Sequence, residues 1–247
     1  MATPSASLCS DSSTRTIGFI GLGILGRSMV RRLLEAGQTV ISYNRTHRDE
    51  HRSLVEAGMR WANSPSAVAS LCSIVFVCVT DSEAAQVVAL GDDGYISSLG
   101  FSGPCSVVCD ISTISPSVSE SICAHVTSAG CAYLDTPFSG SHISVQQHKG
   151  AFMVGGDPDA FRSVHPVLMF IAPRATHVGS IGKALSMKIA VNLNLSAQMI
   201  AFCESVLLAE RSGIQKDVAV DVLCNCAISS PMIQVWHYFL FQDVNNL

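Results

Sequence analysis

The chain is short of charge: Asp, Glu, Lys and Arg make up 14% of its 247 residues. Fifteen Lys and Arg against 19 Asp and Glu leave a formal net charge of −4, with no basic run or stripe. The electrostatic footprint of a nucleic-acid binder is missing. No stretch reaches the roughly 18 uninterrupted apolar residues that mark a membrane span; the apolar blocks are short, such as 73–79 and 232–241. The first fifteen residues, MATPSASLCSDSSTR, lack the apolar core of a secretory signal. Residues 1–15 therefore read as a disordered tail of a cytoplasmic protein, with a Ser- and Arg-containing organelle leader as the alternative. Ten cysteines are present without one CxxC pair. Cys72, Cys78, Cys109 and Cys203 sit inside apolar runs, so they are expected to be small buried hydrophobes in a reducing compartment, with no disulfide framework. His47 and His51 have no evident third ligand, so no metal is expected.

What the chain has in quantity is apolar residues, 48%, with a mean hydropathy of +0.37. That supports a folded core and enough length for one large domain or two modest ones. Residues 16–22 read as a buried strand, 24–36 as a helix with Met29, Val30, Leu33 and Leu34 on one face, and 39–43 as a second strand. Strands at 73–79, 106–110, 132–134, 151–154 and 175–178 follow. Helices are expected at 48–57, from Ser64-Pro65, from Ser115 and from Asp157. Such alternation predicts an α/β, doubly wound sheet. From Ala184 to Ser212 there is no Gly or Pro, and the register is helical for about eight turns. Another helix follows at 216–224. The expected organisation is a Rossmann-type domain over 16–179 and a helical region over 180–247.

Four blocks carry chemistry. Gly21-Leu22-Gly23-Ile24-Leu25-Gly26 is a GxGxxG that follows a predicted strand and opens a predicted helix. Gly21 permits the tight turn, Gly23 the approach of a pyrophosphate and Gly26 close helix–strand packing. This predicts a dinucleotide site. At the end of the second strand, where NAD binders carry a carboxylate for the ribose 2′-hydroxyl, stand Asn44, Arg45 and Thr46. Loss of the carboxylate and gain of a guanidinium favour a 2′-phosphate, hence NADP(H). Val79 and Thr80, at the end of the 73–79 strand, are expected on the cofactor side as well. The second block is Asp110-Ile111-Ser112-Thr113, at a strand's carboxyl end, where ligands gather in open α/β sheets; an N-cap reads equally well there. The third is Asp135-Thr136-Pro137-Phe138-Ser139-Gly140-Ser141, in which Ser139 and the Gly140 amide suit a carboxylate, although an ordinary turn has the same composition. The fourth is Gly179-Ser180-Ile181-Gly182 followed by Lys188 and Asn192, which share a helix face at i, i+4. Taken alone, Lys188 is a snorkelling surface residue before it is a desolvated proton carrier. Glu204, in the same apolar helix, needs a partner that the sequence does not name.

In this order and at these intervals, GFIGLGILG, DIST, TPFSGS and GSIGKALSMKIAVN resemble the β-hydroxyacid dehydrogenase family over roughly 16–232. That family includes 3-hydroxyisobutyrate dehydrogenases and glyoxylate/succinic semialdehyde reductases, and Asn44-Arg45-Thr46 is most similar to the NADP-using glyoxylate reductase branch. The resemblance implies an oxidoreductase acting on small semialdehydes, glyoxylate or hydroxy acids, and a homo-oligomer in its full-length form. It implies catalytic roles for Lys188, which exchanges a proton with the substrate oxygen, and for Asn192, which orients the substrate. Ser112, Ser139 and Gly140 would bind the substrate, and Thr113 would touch the nicotinamide end. Two features depart from the pattern. The stretch 142–149, HISVQQHK, replaces a shorter glycine- and alanine-rich loop. The ending VWHYFLFQDVNNL matches none of the family's later helices, which implies a truncated helical domain and a chain that binds NADPH but turns over weakly. The rival from another class is a cofactor-binding remnant that serves as an interaction protein. An imine reductase is disfavoured, because such relatives typically lack the lysine.

Overall fold

The computed structural model describes residues 15–100, 103–230 and 233–234. Of the expected tail at 1–15 all but Arg15 lies outside these residues, as does the ending at 235–247. In chain order the elements are β1 (Thr16–Ile20), α1 (Ile24–Glu35), β2 (Thr39–Tyr43), α2 (Arg52–Glu56), β3 (Arg60–Trp61), α3 (Pro65–Ala69), β4 (Ile74–Val77) and α4 (Ser82–Leu90). Then come β5 (Val107–Asp110), α5 (Pro116–Ser128), β6 (Ala132–Asp135), β7 (Phe138–Ser139), α6 (His142–Gln146), β8 (Ala151–Gly156), α7 (Pro158–Ile171), β9 (Ala175–Gly179), α8 (Lys183–Arg211) and α9 (Lys216–Asn225).

The sheet runs β3-β2-β1-β4-β5-β6-β8-β7, with β9 paired to β8. From β3 to β6 every pairing is parallel, which is the strand order of a dinucleotide-binding fold with its crevice where the order reverses beside β1. Beyond β6 the sheet turns mixed, because β8 runs antiparallel to both β6 and β7.

The strands are apolar on both faces because both faces are covered. Along β4, Ile74 and Phe76 enter one core with Met29, Val30 and Leu33 of α1 and Val164 and Leu168 of α7. Val75 and Val77 enter the opposite core with Val68 of α3, Ala85 of α4 and Ile122 of α5. Val107 and Cys109 of β5 face the first core and Val108 the second. Side chains alternate strictly along a strand, so helices on both sides follow from the sequence of each strand.

Some expectations change. The helix expected over 48–57 is a 3₁₀ turn, Asp49–His51, followed by the short α2. Helix α4 was not expected; Asp81 caps it by accepting from the Ala84 N–H at 2.8 Å. The unfamiliar 142–149 stretch forms α6, capped by the Ser141 hydroxyl, which accepts from the Ser144 N–H. Cys203 is exposed rather than buried, whereas Cys72, Cys105, Cys109 and Cys131 are buried free thiols. Burial pushes the Cys72 and Cys105 thiols up to about 12.

The chain divides into two compact units after Lys188, inside α8. In the second unit, Phe202 and Val206 of α8 share a small core with Val220 and Cys224 of α9 and Ile233. By length and composition α8 is long and apolar enough to cross a membrane, although Asn192, Asn194 and Gln198 interrupt its apolar run. Glu204 is exposed, so water serves it.

Asp110 is among the polar residues buried in the interior. The Asp110 carboxyl, 2% exposed, accepts from the Ser112 N–H at 2.9 Å and from the Tyr133 hydroxyl at 3.2 Å. Burial pushes its pKa up to about 6, against the pull of those donors. A carboxyl raised in the fold holds a proton that the unfolded chain releases, so stability is greatest at low pH and is lost as pH rises from about 4 to about 6. The loss is about 3 kcal/mol for a shift of roughly two units. Asp110→Asn keeps the shape and cannot ionise. Denaturant midpoints measured from pH 4 to pH 7 should show this fall in the unmutated chain and a flatter profile in the variant; equal slopes would assign the pH dependence elsewhere.

Candidate active site

The first constellation gathers at the carboxyl end of β1. Gly21 has φ +100, and a Cβ there would stand 2.1 Å from the Cys78 carbonyl oxygen. Gly26 lies where α1 crosses the turn, and a Cβ would meet the Gly21 carbonyl oxygen at 2.2 Å. The fold itself therefore requires both glycines. Gly23 differs: it is the N-cap of α1 in ordinary extended geometry, and a Cβ there would meet nothing within 4 Å. No side chain caps this helix and its first turn holds no acidic residue. The amides of Ile24 and Leu25 begin α1 without a capping side chain, which is what an anion at a helix N-terminus needs. The residues present thus fit a dinucleotide.

The turn is held from outside. Asn44 Oδ1 accepts from the Leu22 N–H at 2.8 Å, and its Nδ2 donates to the Thr46 carbonyl at 2.6 Å. His51, 2% exposed, donates from Nε2 to the Leu22 carbonyl at 3.2 Å while its Nδ1 accepts from the Arg48 N–H at 3.2 Å. Both bonds together fix one tautomer. Burial lowers its pKa. Both polar groups of the Leu22 peptide are thereby spoken for. Sequence reading did not find His51 in this role; its only signal is a histidine just ahead of the apolar Leu54. Arg45 and Thr46 are exposed beyond Asn44, and His47 stacks on Trp61 with ring centroids 4.0 Å apart.

The second constellation lies at the ends of β4, β5 and β6. Ser112 is 3% exposed; its hydroxyl oxygen accepts from the Val79 N–H at 3.0 Å, and the hydroxyl itself is directed to the Asp110 carboxyl. It is not a helix cap, since α5 begins only at Pro116. Thr80 and Thr113 are exposed. Ser139 is partly buried and Gly140 is exposed with φ +151.

Lys188 belongs to the same unit. It is half-buried, and its Nζ donates to the Phe138 carbonyl at 2.7 Å, next to Ser139 and Gly140 in sequence. Burial lowers its pKa. This is not the geometry of a snorkelling surface lysine. Asn192, four residues on along α8, falls in the second unit and is exposed. The structure thus brings the Lys188 amine to the 138–140 turn, with a buried carboxyl, Asp135, at the start of that turn.

Residues 16–179 match the NAD binding domain of 6-phosphogluconate dehydrogenase. The chain is 32% identical over 222 residues to glyoxylate/succinic semialdehyde reductase 2, chloroplastic, of Arabidopsis thaliana, covering 90% of this chain and 61% of that protein. It is 31% identical over 220 residues to mitochondrial 3-hydroxyisobutyrate dehydrogenase of Mus musculus, covering 88% and 64%. The chain therefore spans about three fifths of the length of these relatives. Among solved structures, Psf3 in complex with NADP+ and 2-OPP aligns with a TM-score of 0.82 at 30% identity, over 91% of this chain and 78% of that one. A dinucleotide-binding sheet, a nicotinamide-cofactor domain match and relatives of this kind lead to one assignment: the chain belongs to the β-hydroxyacid dehydrogenase family.

Proposed function

We propose that this protein is an NADP-dependent reductase that converts small semialdehydes or glyoxylate to hydroxy acids. The observation that carries the reading is the half-buried Lys188 ammonium held at 2.7 Å against the Phe138 carbonyl. Desolvation brings a lysine's pKa toward the range where it gives and takes a proton near neutrality. Lys188 holds that proton at Nζ and delivers it to the substrate oxygen. Ser139, the Gly140 amide and Ser112 bind the substrate, and Asn192 orients it. The dinucleotide, when bound, supplies the hydride. Gly21 to Gly26, Val79, Thr80 and Thr113 line its path, and Arg45 with Thr46 meets the 2′-phosphate while Asn44 braces the turn.

The preference for the 2′-phosphate rests on an exposed guanidinium where a carboxylate would repel. NADPH is expected to bind more tightly than NADH in fluorescence titration. Arg45→Ala should lose about tenfold or more of that preference, the worth of one charge-assisted contact. Equal affinities in the unmutated protein would overturn the assignment.

For catalysis, Lys188→Ala should abolish reduction of glyoxylate and succinic semialdehyde while NADPH binding stays intact. Near-normal turnover in this variant would remove Lys188 from the mechanism.

A second reading, an interaction protein that retains the nucleotide fold, is favoured by one feature. Ile189, Leu193, Ile200 and Leu208 of α8 are all more than half exposed. A helix apolar on several sides is normally covered, and in our reading a second copy of the chain covers it. Sedimentation of the chain with its turnover measured alongside separates the two: an associating protein with turnover supports the reductase, and association without turnover the interaction role.

A further inference from the structure

We propose that Asp135 is a positioning residue for Lys188: its buried carboxylate caps the first turn of α8 and so sets where the Lys188 amine stands at the end of β6. This rests on the reading of Lys188 as the proton carrier.

Asp135 ends β6 and is 1% exposed. Its Oδ2 accepts from the Leu185 N–H at 3.1 Å. Leu185 is the third residue of α8, and its side chain is fully buried in the core. The residue before the helix is Gly182, with φ +83, which has no side chain to serve as a cap. The Gly182 and Ala184 amides also face the carboxyl. The helix therefore takes its cap from a strand end 50 residues earlier in the chain.

Three residues beyond Asp135, the Phe138 carbonyl receives the Lys188 amine; Lys188 lies three residues beyond Leu185. Two bonds of the same 50-residue span thus fasten one turn of helix to one short segment in register. The segment is itself fixed, since the Thr136 N–H donates to the Asp110 carbonyl at 2.6 Å and Pro137 restricts the backbone between. The carboxylate acts on the helix, the helix carries the lysine, and no direct Asp–Lys contact is involved.

Space for the cap comes from β8. A Cβ on Gly155 would stand 2.3 Å from Asp135 Oδ1 and 2.8 Å from the Ser180 carbonyl oxygen. Gly155→Ala therefore displaces the carboxylate without deleting it, and supplies a second, independent perturbation.

The test uses the full chain and two readouts. Competitive acetylation of amines at a series of pH values, resolved by peptide mass spectrometry, reports the titration of Lys188 without requiring turnover. Steady-state kinetics report kcat and KM. With Asp135→Ala, the Lys188 midpoint should rise toward the ordinary lysine range as the amine becomes solvated. In the same variant kcat should fall about 10–100-fold, the cost of a misplacement near 1 Å, with the KM for NADPH unchanged. Gly155→Ala should reproduce both changes, and it carries the comparison alone if Asp135→Ala does not fold. Asp135→Asn keeps an oxygen for the Leu185 N–H and should restore both readouts to near the unmutated values. A folded Asp135→Ala or Gly155→Ala protein whose Lys188 titrates as before, at unchanged kcat, would overturn the proposal. Failure of the underlying reading looks different: Lys188→Ala would then turn over normally whatever the acetylation shows.

Discussion

Two carboxyl groups lie side by side in the interior, Asp110 at the end of β5 and Asp135 at the end of β6, as register partners on neighbouring parallel strands. A buried carboxyl without donors is costly, so the chain around each must bring N–H or O–H groups to it. Asp110 meets this need by bending the chain back so that Ser112 donates, and by recruiting Tyr133 from β6. Asp135 meets it at Oδ2 with the opening turn of α8, while its Oδ1 is buried without a hydrogen-bond partner among the described residues. The path of the backbone beyond both strands is thus dictated by desolvation. The hydroxyls of Ser112 and Thr113, the 138–140 turn and the Lys188 amine all stand on paths so fixed. Burial raises both carboxyls above the usual range, the expected sign where the charged form is disfavoured.

The nucleotide end is organised by different means. There the backbone of one residue, Leu22, is bonded on both sides, by Asn44 after β2 and by His51 from the 3₁₀ turn. The one connection from β2 to α2 therefore holds the turn between β1 and α1, while α1 itself is held by its apolar stripe against the first core. Fully buried side chains of this kind each contribute about 1.5–3 kcal/mol. Packing fixes the helix and hydrogen bonds fix the turn.

Much of this was legible in the sequence. Strands whose alternate residues serve two cores announce themselves as continuous apolar runs, so β1, β4 and β5 and the doubly wound class follow from residues 16–22, 73–79 and 106–110 alone. The GxGxxG turn is legible because its glycines carry steric meaning. What was not legible depends on partners far along the chain. The two-residue strands β3 and β7 exist by pairing with β2 and β8, not by their own composition. Lys188 read by itself is a surface residue; the Phe138 carbonyl that holds it is 50 residues away. His51 and Asp135 are single polar residues whose roles appear only when Leu22 and Leu185 arrive beside them. No shift in composition marks the division after Lys188, because α8 runs through it.

The three glycines of the nucleotide turn are not equivalent, and the difference bears on any effort to stabilise this protein. Gly21 and Gly26 are demanded by neighbouring backbone, but Gly23 borders open space. An engineer ranking helix ends by intrinsic preference would replace Gly23 with Asp or Ser and gain a few tenths of a kcal/mol from the new cap. That side-chain oxygen would then occupy the amides that begin α1 and fill the room left by the missing Cβ. The bare helix end is stability withheld: the amides that begin α1 are left without a capping side chain, and the group that suits them is an anion from outside the chain.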